Sequence, residues 1–257
     1  MMTKEQLLEM KLKARDLEIA ALIDRLNAST NFNNQLHIKN RQLRQMIESK
    51  KVLIACEESQ AITVELRKRG VNAYSCDLQP CSGGHPEWHI QGDAIIEAYS
   101  GKYIAMIAHP TCTFITNSGV CWLYNKDGSR NEERWQNLND ACAFFKKLLD
   151  APMKMKVIEN PIPHKYALEL IGKKYDQLIQ PYMFGEPESK ATCLWIEGLP
   201  KLKETNNVKH IWKELPKNQA QRLHYLPPGP ERAKLRSKTF KGIAEAVAEQ
   251  WAGFFKN

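Results

Sequence analysis

A chain of 257 residues, 43% of them hydrophobic, carries enough apolar material for one sizeable core plus an appendage. The formal net charge of +8 favours polyanionic partners such as nucleic acid, and no apolar run reaches the roughly 18–20 residues of a bilayer-spanning helix, which argues against membrane insertion. Seven scattered cysteines with no secretory signal ahead of them read as reduced cytoplasmic thiols, not as a disulfide framework.

Residues 3–49 contain neither Gly nor Pro and repeat apolar residues at heptad spacing. Leu8, Leu12, Ile19, Leu22, Leu26, Leu36, Leu43 and Ile47 fall on one seam, with Asn33 and Asn40 inserted in it. The pattern predicts a helical arm over 1–49 that can form a coiled coil, and Asn at seam positions can fix register or oligomer state. Self-association through this arm is one reading. The others are packing back on the chain's own domain and a hairpin broken near Asn27–Asn34.

From residue 50 the texture changes to alternating strand and helix signals. Strands are predicted at Val52–Cys56, Gly70–Asp77, the run ending at Ala108, Lys156–Glu159 and Ala191–Ile196, and helices at Ala61–Arg69, Ala94–Tyr99, Glu132–Asp150 and residues 164–180. Such alternation implies an α/β core over 50–197 whose mostly parallel sheet is covered by helices on both faces. A basic, irregular stretch with Pro-Pro-Gly-Pro at 227–230 occupies 198–238, and a helix closes the chain over 239–257.

Ligands of such sheets bind at the carboxyl ends of the strands, where Cys56, Asp77, His109–Cys112 and Glu159 converge. A thiol at Cys112 and a carboxyl at Glu159 suit chemistry on a pyrimidine: a thiolate adds to an electron-poor ring carbon while a protonated carboxyl supports the charge pushed onto the ring nitrogen. That role asks for a Glu159 pKa raised by burial.

Taken in order, Val52–Ser59, Asp77, Gly92-Asp93, Pro110-Thr-Cys112 and Glu159-Asn160 resemble the motifs of the DNA (cytosine-5) methyltransferase family, particularly its compact phage-type members. The resemblance implies a Rossmann-like S-adenosylmethionine-dependent methyltransferase fold, S-adenosyl-L-methionine as cofactor and DNA as partner. It also implies a cytoplasmic location, that of the host for a phage-encoded protein. It assigns Cys112 as nucleophile, Glu159 as hydrogen-bond donor to the base and Asn160 as support for the loop. Cys56, Glu57, Ser59, Asp77, Gly92, Asp93, His109 and Pro110 fall at cofactor-binding places, and Thr113, Lys190, Arg232 and Arg236 on the substrate side.

The likeness has departures. The first loop, Cys56–Ala61, has no glycine, the usual Pro-Pro-Cys has become Pro110-Thr111-Cys112, and Lys190 is the nearest counterpart of the family's paired arginines. Residues 198–238 take the place of a recognition region and interleave lysines and arginines with Trp212, His224 and Tyr225, which suits phosphate neutralisation and base stacking. Their brevity leaves open an enzyme acting on pyrimidine nucleotides, and the altered cofactor loop leaves open a non-catalytic nucleic-acid-binding or assembly protein. Cys76, Cys81, His85 and His89 have the residue types of a zinc site but irregular spacing, and no metal is assigned.

Overall fold

The computed structural model describes residues 4–256, with the side chains of residues 4–11, 14, 41–49, 230 and 231 outside that description. The chain divides between Ser49 and Lys50 into two units. The first is a single helix, α1 (Lys4–Ser49), which continues through Asn27–Asn34 with no hairpin. Every described side chain from Leu12 to Asn40 is exposed, so the seam is uncovered over that stretch; Leu8, Leu43 and Ile47 lie outside the described side chains.

The second unit runs β1 (Lys51–Ala55), α2 (Ala61–Lys68), β2 (Asn72–Asp77), β3 (His89–Gln91), α3 (Ala94–Ala98), β4 (Tyr103–Ala108), α4 (Glu132–Leu149), β5 (Met155–Pro161), α5 (Lys165–Ile171), β6 (Gln177–Ile179) and β7 (Thr192–Glu197). It ends with α6 (Lys209–Glu214), α7 (Lys217–Ala220), α8 (Pro230–Ser237) and α9 (Lys241–Lys256). The strands form one sheet in the order β3-β2-β1-β4-β5-β7-β6. Strands β1 to β5 pair in parallel, and β7 runs antiparallel to both β5 and β6. This is a Rossmann-like, mostly parallel α/β sheet with helices on both faces.

Short β-branched and aliphatic runs make the central strands, because each strand is buried on both faces. Val52 and Ile54 of β1, Ala105 and Ile107 of β4 and Val157 of β5 point to the layer that holds α2 and α9. Their neighbours Leu53, Ala55, Met106, Ala108 and Ile158 point to the layer that holds α3, α4 and α5. By the same alternation, Glu159 follows Val157 onto the α9 side of the sheet.

Helix α9 reaches that side because of Gly242, where a Cβ would overlap the carbonyl oxygen of Phe184. Glu186 caps the same helix by accepting from the Gly242 N–H at 3.2 Å. Gly242→Ala gains helix propensity but forces backbone apart, so the overlap decides the sign: a loss of about 1–3 kcal/mol in urea unfolding is expected.

Three departures from the sequence reading have simple causes. The helix expected over 164–180 stops at Ile171, where Gly172 turns with φ 76°, and Gln177–Ile179 is instead edge strand β6. Strand β3 has only three residues and so shows no alternation to read. The stretch 198–236 contains the short helices α6, α7 and α8 instead of being irregular throughout.

Candidate active site

Strand order reverses between β1 and β4: β2 and β3 lie on one side of β1, β4 and β5 on the other. The His109 N–H still donates to the Ala55 carbonyl at 2.9 Å, after which the two loops part and open a crevice at the carboxyl edge.

On the β1–β2 side, the Cys56 and Glu57 N–H groups both donate to the Cys76 carbonyl, turning the chain sharply after β1. Cys56 and Gln60 take left-handed backbone conformations, with φ 59° and 56°, at positions without glycine. Each costs about 1–2 kcal/mol, which local bonds must offset. The Gln60 amide does so by donating to Ser75 Oγ and the His85 carbonyl and accepting from the His85 N–H. The loop thus keeps a glycine-like path without glycine. Burial, followed by the charges of Asp77, Cys76 and Asp93, pushes the Cys56 thiol up to about 12, which makes it an inert thiol near two carboxylates.

Asp77 ends β2 half-buried, with Oδ1 accepting from the Gln79 N–H at 2.9 Å, while the Gly92 N–H donates to the Asp77 carbonyl. Asp93 caps α3 through the Ile95 N–H at 2.7 Å. Ser59 is half-buried in the loop after β1.

Glu57, expected among the cofactor contacts, has its carboxylate turned to the start of α2. It is only 4% exposed, and its oxygens accept from the Ile62 N–H at 2.7 Å, the Thr63 N–H at 3.3 Å and Thr63 Oγ1 at 2.6 Å. It is the N-terminal cap of α2, held in burial that raises its pKa against the opposing pull of His109 and these bonds. Glu57→Ala should lower unfolding free energy by about 2–3 kcal/mol, because the cap is lost and the buried donors are stranded, while leaving cofactor affinity in the folded protein near its parent value.

On the β4–β5 side, His109 Nδ1 and Glu159 Oε2 are 2.8 Å apart, with side chains 9% and 17% exposed. This moves His109 from the cofactor group to the partner of Glu159. It also corrects the expected carboxyl pKa. Burial alone would raise it, but the bond to His109 and the charge of Lys190 outweigh that and hold Glu159 below its ordinary value. The His109 imidazole is raised in turn: its bond to Glu159 and the charges of Glu159 and Glu57 outweigh burial. Both shifts run in the direction that favours a carboxylate beside an imidazolium. His109 Nε2 is buried without a partner.

Asn160 donates from Nδ2 to the Pro110 carbonyl at 2.9 Å, tying the end of β5 to the start of the Cys112 loop. Cys112 is half-buried, and its carbonyl accepts from the Ile115 and Thr116 N–H groups in the turn that follows. Burial pushes its thiol up, Lys190 and Arg236 pull it down, and Glu159 pushes it up again. The thiol therefore feels the charges of the very groups expected beside it. Lys190 Nζ donates to the Arg236 carbonyl at 2.8 Å, joining the approach to β7 with α8.

Next to these groups lies a narrow cleft whose free space of about 20 Å³ holds about one water. His109, Glu159, Lys190, Thr192 and Thr239 supply its polar lining and Ile107, Val157, Ile243, Val247 and Trp251 part of its apolar lining. Cys112 is outside that lining.

Other expected residues are less central. Thr113 is exposed and its carbonyl accepts from Arg134 Nη2 at 3.0 Å; Arg232 donates to the His224 carbonyl at 3.1 Å, where its Nε is buried without a partner. Trp212 is not free to stack on a base, since its ring packs against Tyr182 with centroids 5.1 Å apart. Tyr225, at 53% exposed, remains accessible.

Three of the four residues with zinc-ligand chemistry are engaged elsewhere, and the fourth, Cys81, is a free thiol of intermediate burial. His89 bonds Ser75 Oγ and the Gln79 carbonyl, His85 stacks on Trp88, Cys76 is buried, and no group of three such ligands gathers among the described residues. Two exposed apolar side chains not singled out in the sequence follow Asp77 and Asp93: Leu78, just after β2, and Ile96, in α3, 70% and 68% exposed. An apolar residue directly after an acidic strand end was the available signal.

No protein-family model matches this chain, and no curated protein does either. Among solved structures, it is similar to a protein assigned as a DNA modification methyltransferase encoded within an E. coli prophage, with 14% identity and a TM-score of 0.36 over 58% of this chain and 46% of that one. It is also similar to a mutant of DNMT2 from Spodoptera frugiperda, with 13% identity and a TM-score of 0.33 over 63% of this chain and 54% of that one. The chain thus matches about half the length of each.

Proposed function

We propose that the protein methylates cytosine at C5 in DNA, using S-adenosyl-L-methionine and a covalent adduct to Cys112. The observation that carries this reading is the bond from Asn160 at the end of β5 to the Pro110 carbonyl, which fixes the Cys112 loop beside the Glu159 strand end, where the charges of Lys190, Glu159 and Arg236 reach the thiol.

The residues present fit the cofactor. Asp77 offers a carboxylate for ribose hydroxyls, Asp93 and Gly92 stand beside it, and the uncovered Leu78 and Ile96 suit an adenine ring. When bound, the cofactor supplies an electrophilic methyl group. Everything else is done by the chain and the base. Cytosine C5 is too weak a nucleophile by itself, so the Cys112 sulfur first forms a bond to C6. Lys190 and Arg236 favour the thiolate that this requires, against the burial that keeps the resting thiol protonated. Electron density pushed onto the ring reaches N3, which takes up the proton stored on the His109–Glu159 pair. C5, now enamine-like, accepts the methyl group; it then loses its proton to a base as the thiolate is expelled, and N3 returns its proton to the His109–Glu159 pair, restoring the ring.

The test is incubation of the protein with methyl-tritiated cofactor and duplex DNA, followed by nucleoside analysis. Label in 5-methylcytosine is the expected result. Label confined to adenine or to the cytosine amino group would overturn the reading, and label on free deoxycytidine nucleotides but not on duplex would replace the substrate.

A further inference from the structure

The arm α1 carries an apolar seam whose described side chains are exposed. Its a positions are Leu12, Ile19, Leu26, Asn33 and Asn40, and its d positions include Leu22 and Leu36. Leu12, Ile19, Leu22, Leu26 and Leu36 are between 48% and 68% exposed. A helix of 46 residues is about 70 Å long, and one with this much uncovered aliphatic surface gains little of its stability from packing. A partner with the same repeat would cover the seam.

We propose that the occupant is a second copy of this chain, and that the two arms form a parallel, in-register, two-stranded coiled coil. Ile and Leu at a with Leu at d suit two strands. The register argument rests on the two asparagines. In a parallel dimer a positions face a positions, so Asn33 meets Asn33 of the other copy and Asn40 meets Asn40, amide to amide. An antiparallel pairing or a shift by one heptad sets at least one amide against an aliphatic side chain, leaving a buried polar group unpaired. The flanking charges are mixed: Lys11 at g meets Asp16 at the following e, an opposite pair, whereas Lys39 at g meets Arg44, a like pair, so the register rests on the asparagines. Arg15 and Ser29 interrupt the d row, and the long Arg15 stem can keep its charge in water. The proposal is independent of the chemistry assigned to the other unit.

The experiment is light scattering on the full chain at tens of micromolar, beside the double variant Leu22→Lys/Leu26→Lys. The full chain is expected at twice the chain mass and the variant at the chain mass. Orientation is read by mild oxidation of Asn33→Cys in a Cys121→Ser background, which removes the exposed native thiol. A disulfide between identical positions is expected, with no crosslink in Cys121→Ser alone. A monomeric parent, a trimer or tetramer, a dimer untouched by the two lysines, or failure of Asn33→Cys to crosslink would each overturn the proposal.

Discussion

Cys112→Ser is expected to lower methyl transfer to DNA by on the order of 10⁴-fold or more while leaving the fold and cofactor affinity near those of the parent. A hydroxyl in the same place is a far poorer nucleophile toward C6 at neutral pH, because its ordinary pKa lies far above a thiol's and the opposing pull of Lys190 and Arg236, which only partly offsets burial for Cys112, cannot close that gap. The reading to make is kcat in a tritium-transfer assay, paired with calorimetric titration of the cofactor. Retention of parental kcat would remove Cys112 from the chemistry. Of the six other cysteines, Cys56, Cys76, Cys142 and Cys193 are pushed up to about 11 or 12, chiefly by burial, Cys81 follows β2 on the other side of β1, and Cys121 is exposed beyond the Cys112 loop.

The second large effect is expected for His109→Gln, which keeps a polar side chain but cannot hold the proton. A depressed Glu159 pKa gives stability that is present above the unfolded carboxylate value of about 4.3 and is lost as pH falls through the folded one. A raised His109 pKa gives stability that is present below about 6.5 and is lost as pH rises through the folded one. The pair therefore contributes most between about pH 4.5 and 6.5. In that window the variant should be less stable by about 3 kcal/mol, since one member of a buried pair is gone, with a smaller difference at alkaline pH. Methyl transfer should fall by about 10²–10³-fold and lose the parent's decline at high pH, which in the parent reports deprotonation of His109. Equal losses at every pH would mean that His109 only fills space.

Much of the fold was legible because it is written in local patterns. Val52–Ala55 and Tyr103–Ala108 are compact apolar runs between turn signals, and α4 announces itself with Asn131 as cap, acidic Glu132 and Glu133 in its first turn and Lys146 and Lys147 in its last. Strands β3 and β6, with three residues each, are made by their neighbours and carry no period of their own.

Within the site, the residues were easier to name than their protonation. Glu159 was recognisable as a carboxyl at a strand end, but the His109 ring that sets its charge is 50 positions away in sequence, and only the adjacency of β4 and β5 brings them together. Glu57 misled for the opposite reason. It sits in the cofactor loop by position, yet its oxygens turn back to the first N–H groups of α2, a cap whose reach of five and six residues lies outside the usual capping spacing. Glu186 and Gly242 meet only because α9 returns to the sheet.

The account rests on a sulfur–carbon bond between Cys112 and the target base, and that bond can be trapped. Duplex DNA with 5-fluorocytosine in place of cytosine lets methyl transfer proceed but leaves no proton at C5 to be removed, so the adduct persists. With S-adenosyl-L-methionine present, the expected result is a denaturation-resistant protein–DNA complex whose crosslinked peptide, mapped by mass spectrometry, contains Cys112. Absence of any such complex while methyl groups are transferred, or a crosslink through a different residue, would contradict it.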